Sequence, residues 1–184
     1  VIFNRSALLF AGEDGVAAVS IIMYLQFLCI GIYFGFSMGL STPLGYAYGD
    51  RNFSVCRVLE KYAYRFFAIA PIILYGCTYL LTPIGVRFFA SPGSTVFNMA
   101  VSGMRLYGLG FLFSGINIFA AIRMMTYGKG YISGMITFLR SFALLLLFLT
   151  VLPRFLELNG IWLAVPAAEI LTLIVALWTL RKKL

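Results

Sequence analysis

Five polar side chains stand at one depth in a sequence that is otherwise hydrocarbon. Glu169 lies inside WLAVPAAEILTLIVALWTL and Arg140 inside YISGMITFLRSFALLLLFLTVL. Counted inward at about 1.5 Å per residue of helix, these two, together with Gln26, Thr78 and Asn117 on three other apolar stretches, fall roughly 15 to 18 Å from the same end. A charge placed so deep costs about 2.5–3.5 kcal/mol even on the lenient insertion scale, so it must face the protein interior or water and find a partner. The stretches carrying Arg140 and Glu169 are consecutive and antiparallel, which makes the two charges candidates for each other.

Each group has companions at helical spacing. Glu169 is followed by Thr172, Ala176 and Thr179; Arg140 is preceded by Ser133 and Thr137; Asn117 is flanked by Ser114 and Ala121. Steps of three, four or seven keep side chains on one helix face. Two chemistries fit this pattern: a static pin that only fixes packing, or a polar pathway for a substrate or coupling ion. For Gln26 and Thr78 taken alone, the static reading is the simpler one. Pro166, three residues before Glu169, has no N–H to give the Trp162 carbonyl, so it marks a candidate helix break. Such a break either exposes a carbonyl to a ligand or merely bends the helix. Gly31, Gly35 and Gly39 share one face, a spacing that lets helices approach closely.

Other chemistry is missing from the residue list. The sequence has no histidine, which removes Ser-His-Asp triads and the common histidine metal sites. The six acids are scattered, with no pair spaced for acid–base work or a hard-cation cage. The cysteines Cys29, Cys56 and Cys77 show no paired or metal-ligand spacing. No catalytic residue, metal site or cofactor is expected, and the chain does not read as an enzyme.

The elements that must hold these groups follow from composition. Of 184 residues, 62% are hydrophobic and 11% charged, far from the usage of soluble domains. A hydrocarbon core about 30 Å thick takes about 20 apolar residues of helix. The hydrophobic pattern predicts five such helices, over about 16–40, 64–89, 106–127, 131–152 and 161–180. The fold class is therefore all-α, a polytopic transmembrane bundle. Pro43, Gly45 and Gly49 are expected to end the first helix before a basic link.

The net charge of +8 sits at the ends of apolar stretches and lines no soluble face, so nucleic acid is not an expected partner. Arg51, Arg57, Lys61, Arg65, Lys129, Arg181, Lys182 and Lys183 fall on one side, against Arg5, Arg87, Arg105 and Arg154 on the other. The positive-inside rule puts the first group, and with it the carboxy terminus, in the cytoplasm of a plasma (inner) membrane. Arg123 is expected to snorkel to that surface. The sequence has no initiator Met and opens in VIFNRSALLFAG, which reads as the end of a preceding helix. On this reading residues 1–11 belong to that helix, and 12–184 form the lobe that comes after it.

Three stretches together resemble a known family: FGFSMGLSTPLGYAYGDRN, then YGLGFLFSGINIFAAIRMMTYGKGYISGMITFLRSF, then LPRFLELNGIWLAVPAAEI. In order and spacing they look like the carboxy-terminal lobe of multidrug and toxic compound extrusion (MATE) transporters, over essentially the whole chain. The resemblance implies twelve helices in two six-helix lobes around a cleft that opens alternately to either side. It implies export of small organic, often cationic, compounds in exchange for Na⁺ or H⁺. It also implies three partners: the small-molecule substrates, the lipid bilayer and an amino-terminal lobe absent from this sequence. Two positions depart from the family pattern. Tyr46-Ala47-Tyr48-Gly49 lacks the asparagine often found there, and the helix matching the tenth carries Asn117 where some members have an acidic cation ligand. A lipid-linked oligosaccharide flippase of the same superfamily is the related alternative; a non-transporting membrane subunit that only packs against partners is the unrelated one.

Overall fold

The computed structural model describes residues 2–181 and is helical almost throughout. Val1, Lys182 and Lys183 lie outside the described residues. Helix α1 covers Ile2–Gly49, α2 Phe53–Val86, α3 Thr95–Tyr107, α4 Phe111–Thr126, α5 Gly130–Phe138, α6 Leu144–Val151 and α7 Pro153–Arg181. Among the described residues these combine into five helical runs long and apolar enough to cross a membrane, with α3 and α4 forming the third and α5 and α6 the fourth.

The spans are longer than hydropathy predicts, because helix geometry continues past the apolar limits. α1 runs through Pro43 to Gly49. A proline costs a helix one backbone hydrogen bond, and in a membrane protein neighbouring groups absorb the loss. The interruption in α1 is instead at Gly12, with φ 61° and ψ −151°, a region open in practice only to glycine. There the arm Ile2–Ala11 folds against the span so closely that a Cβ on Gly15 would lie 2.8 Å from the Ala7 carbonyl oxygen.

The basic link after Asn52 is helix, not loop. Asn52 caps α2, its side-chain oxygen accepting from the Val55 N–H at 3.3 Å, which satisfies a donor the helix start would leave open. Ser94 caps α3 through the Phe97 N–H in the same way. Gly128, at φ 71°, supplies the turn between the third and fourth spans.

Two of the spans depart locally from α geometry where their halves meet. A 3₁₀ turn at Gly108–Gly110 joins α3 to α4, and a π turn at Leu139–Ala143 joins α5 to α6. α7 has its irregularity at Glu157 (φ 49°), and continues as helix through Pro166. Helix therefore persists at the candidate break of Pro166, and the 3₁₀ turn lies close beside it, so that a Cβ on Gly110 would meet Pro166 N at 3.5 Å.

The third span is the most buried and the fourth the least. α4 forms the hub, packed against α1, α2, α5 and α7. Its Ile118, Phe119 and Ala120 are buried, and Tyr33 and Phe67 from α1 and α2 close on it, with Tyr33 donating its hydroxyl to the Phe111 carbonyl at 2.9 Å. Close approach needs glycine at two places: a Cβ on Gly103 would lie 2.8 Å from Trp162, and one on Gly115 2.8 Å from Phe67. Gly31, Gly35 and Gly39 do something else. Among the described residues nothing beyond their own stretch of helix lies within 4 Å of where their Cβ atoms would be, so these residues do not form the packing seam expected of the three glycines.

Candidate functional site

Four of the five mid-depth polar residues converge. α7 brings Glu169 to the centre of the bundle, where it is 4% exposed. Arg140 comes from the π turn of the fourth span. A π turn carries one residue more than an α turn, which rotates the flanking positions by about 100° relative to a regular helix. The guanidinium pairs with the carboxylate, Nη2 to Oε1 at 2.6 Å and Nε to Oε1 at 3.1 Å. Asn117, fully buried on α4, donates from Nδ2 to Glu169 Oε2 at 2.7 Å and to the Glu169 carbonyl at 2.9 Å. Gln26 on α1 accepts from the hydroxyl of Tyr107.

A cavity of about 500 Å³ opens on this group. Its polar wall includes Gln26, Tyr107, Ser133, Thr137, Arg140 and Glu169, and its apolar wall Phe34, Met38, Ile118 and Met125. This volume lies within the usual range of small-molecule sites, as does an apolar lining with a few placed polar groups. The companions Ser133 and Thr137 reach the wall with Arg140, as their spacing requires. Thr172 and Thr179 do not join them: each returns its hydroxyl to its own helix, to the Ala168 and Ala176 carbonyls at 2.8 and 2.7 Å. Pro166 is also off the wall.

Thr78 goes elsewhere. It faces Cys29 across α1 and α2, with Oγ1 3.6 Å from Sγ, and lines a separate, almost wholly apolar cleft of about 360 Å³. Depth along the membrane normal fixes one coordinate of a side chain, and the rotation of α2 sets the other. That rotation turns Thr78 away from Arg140 and Glu169.

The structure also contains a second buried ion pair, and it corrects the reading of Arg123. This residue does not snorkel outward. It is 2% exposed and its Nε donates to Glu60 Oε1 on α2, while the Tyr127 hydroxyl donates to the same oxygen at 2.6 Å. The Arg123 guanidinium also sits 5.0 Å from the centre of the Tyr127 ring, within cation–π range. A signal for this cluster was present in the sequence. Cys56, Glu60, Ala63 and Phe67 recur at spacings of four, three and four, the buried face of a helix, and Glu60 interrupts it with a charge that needs a partner.

Comparison with known proteins agrees with this architecture. The model of the MatE family matches residues 2–152, more than half of the chain, and the chain belongs to that family. Among solved structures it is similar to an outward-facing multidrug resistance MATE family transporter of the MOP superfamily, at 22% identity and a TM-score of 0.86. It is as similar in fold to an inward-facing one, at 21% identity and 0.86. A MOP superfamily transporter from Pyrococcus furiosus, described as having a binding pocket of reversed polarity that suggests a different function, matches at 21% identity and 0.85. Each match covers 97% of this chain but only 40%, 42% and 40% of the other chain, respectively. No curated relative matches the chain significantly.

Proposed function

We propose that this chain is the carboxy-terminal lobe of a secondary active exporter, in which a Na⁺ or H⁺ gradient drives small organic compounds out through a cleft shared with an amino-terminal lobe. Arg140, Glu169, Asn117 and Gln26 form this lobe's polar contribution to the pathway, and the carboxy terminus faces the cytoplasm of the plasma membrane. The observation that carries the reading is that Arg140, Glu169 and Gln26 line one cavity, with Asn117 bonded to the carboxylate from behind. A subunit that merely packs against partners has no use for a buried ion pair beside open volume, and would bury its polar groups separately, as Thr78 is buried. The equal likeness of this fold to outward-facing and inward-facing structures supports a lobe that moves as a unit, with the alternation taking place between lobes.

The test is accumulation of a panel of organic dyes of both charges in cells expressing the full-length parent, under imposed Na⁺ and H⁺ gradients. Export of at least one dye, lost in Glu169→Gln at equal membrane abundance, is the expected result. If the parent lowers accumulation of no dye under either gradient, export is the wrong activity.

A further inference from the structure

We propose that the basic first turns of α2 form a binding surface for anionic lipid headgroups, with Arg57, Lys61 and Arg65 facing the phosphates of the adjoining leaflet. The inference does not rest on the export reading. It begins from the difference between the expected link and the observed helix. In a loop the cations of GDRNFSVCRVLEKYAYR would have no fixed relation to one another. Because α2 starts at Phe53, Arg57, Lys61 and Arg65 recur every four residues and share one side of the helix. All three are exposed.

The bundle lies on the other side, against which Cys56, Glu60, Ala63 and Phe67 are buried. Further along α2 the outward side is continued by Ile69, Ile72 and Ile73, each more than half exposed. One surface of the helix thus changes from basic to apolar between Arg65 and Ile69. From Phe66 to Val86 the sequence has no charged residue; at about 1.5 Å per residue this stretch spans about 30 Å, the thickness of a hydrocarbon core. Arg65 therefore stands at the hydrocarbon boundary, with Arg57 about 12 Å beyond it along the axis, and long basic side chains bend toward the headgroup layer from either direction. Tyr62 and Tyr64, both exposed, lie at the level that aromatic residues favour at a membrane interface.

The charge of this stripe is not met within the described residues. Of the two acids at this end, Glu60 turns inward to Arg123, and Asp50 precedes α2 without pairing to any of the three cations. A surface that is apolar on one side of Arg65 and basic on the other matches a phospholipid in both parts, its chains against the isoleucines and its phosphate against the cations. A soluble partner does not cover the isoleucines, and a zwitterionic lipid brings a cation of its own that competes for the phosphate. The occupant that satisfies both parts is an anionic phospholipid.

The test uses the full-length protein in phospholipid bilayers, with Ile69→Trp as a reporter on this surface and its fluorescence taken as the difference from the parent. Quenching by chain-brominated phosphatidylglycerol is compared with quenching by chain-brominated phosphatidylcholine over a range of mole fractions. The anionic lipid is expected to bind about fivefold more tightly at low salt, the worth of one cation close to an anionic surface. The preference should shrink at about 1 M salt, where the screening length is about 3 Å. Adding Arg57→Gln, Lys61→Gln and Arg65→Gln should bring the ratio close to one. These side chains are exposed, so the variant should remain folded, and a monodisperse elution before reconstitution checks that it does. Equal quenching by the two lipids in the reporter protein overturns the proposal, as does a preference that survives the triple change. Quenching by neither lipid overturns it too, because protein then covers the surface. Loss of the preference on adding inorganic phosphate at constant ionic strength would assign the cations to a free anion instead.

Discussion

The two buried ion pairs use the same chemistry in different surroundings. Glu60 and Arg123 sit between α2 and α4 with Tyr127 closing over them, and neither lines the mid-depth cavity or the apolar cleft beside Thr78. Arg140 and Glu169 sit between the fourth and fifth spans, beside about 500 Å³ of open volume. Both pairs are largely buried, and the first adjoins neither cavity. The second is held by protein on one side and available to a ligand on the other. A buried salt bridge by itself therefore says little about function. The space next to it distinguishes a packing device from a site.

That contrast can be broken experimentally, beginning where the effect is largest. Removing one partner of the sealed pair, by Glu60→Gln, strands Arg123 as an uncompensated charge and should cost about 3–5 kcal/mol. It should be read as lost folded yield, with Glu60→Gln plus Arg123→Gln recovering part of it. If the single and double changes lose yield equally, the pair is not coupled.

At the open pair the same kind of change should injure transport more than folding. Glu169→Gln is expected to lower export about tenfold or more, as expected when one member of a buried hydrogen-bonded pair is removed. Its folding loss should be smaller than that of Glu60→Gln, because solvent in the cavity can reach Arg140. Glu169→Gln and Arg140→Gln should each reduce folded yield more than the double change does. Additive losses there would mean that the two charges act independently.

Packing without charge comes next. Gly103→Ala puts a methyl 2.8 Å from both Trp162 and Ile22, an overpacking expected to cost about 1–3 kcal/mol, visible as a lower midpoint in thermal unfolding in detergent. The smallest effect is predicted for Thr78→Val. Thr78 lies outside the cavity and among the described residues its hydroxyl has only a long contact, to Cys29, so both export and stability should stay within about 0.5 kcal/mol of the parent. A large transport defect in Thr78→Val would place the pathway on the wrong side of α1.

Much of this was legible without coordinates. The apolar runs announced five spans because a membrane demands that length, and the pairing of Arg140 with Glu169 followed from their corresponding positions on consecutive spans. The turn at Gly128 was readable from GKG. Less legible were the places where helix persists through residues that usually end it, namely Pro43, Pro166 and the polar start of α2. At the prolines local propensity loses to the need to satisfy backbone groups in hydrocarbon, and at α2 the Asn52 cap lets the helix begin in the polar link. Arg123 was misread because position near a span end permits snorkelling, and only the neighbouring helix shows that Glu60 is waiting for it.

The sequence by itself determined that this chain crosses a membrane repeatedly and that its ionised groups must find partners, since a charge carried deep into hydrocarbon is costly whatever helix bears it. Only the tertiary structure decided which partners those are. Helix rotation is set by side-chain packing summed over several neighbours, and a single π turn or a glycine contact shifts it. Such rotation separates Thr78 from the other four, joins Arg123 to Glu60, and leaves Arg140 and Glu169 beside an open cavity.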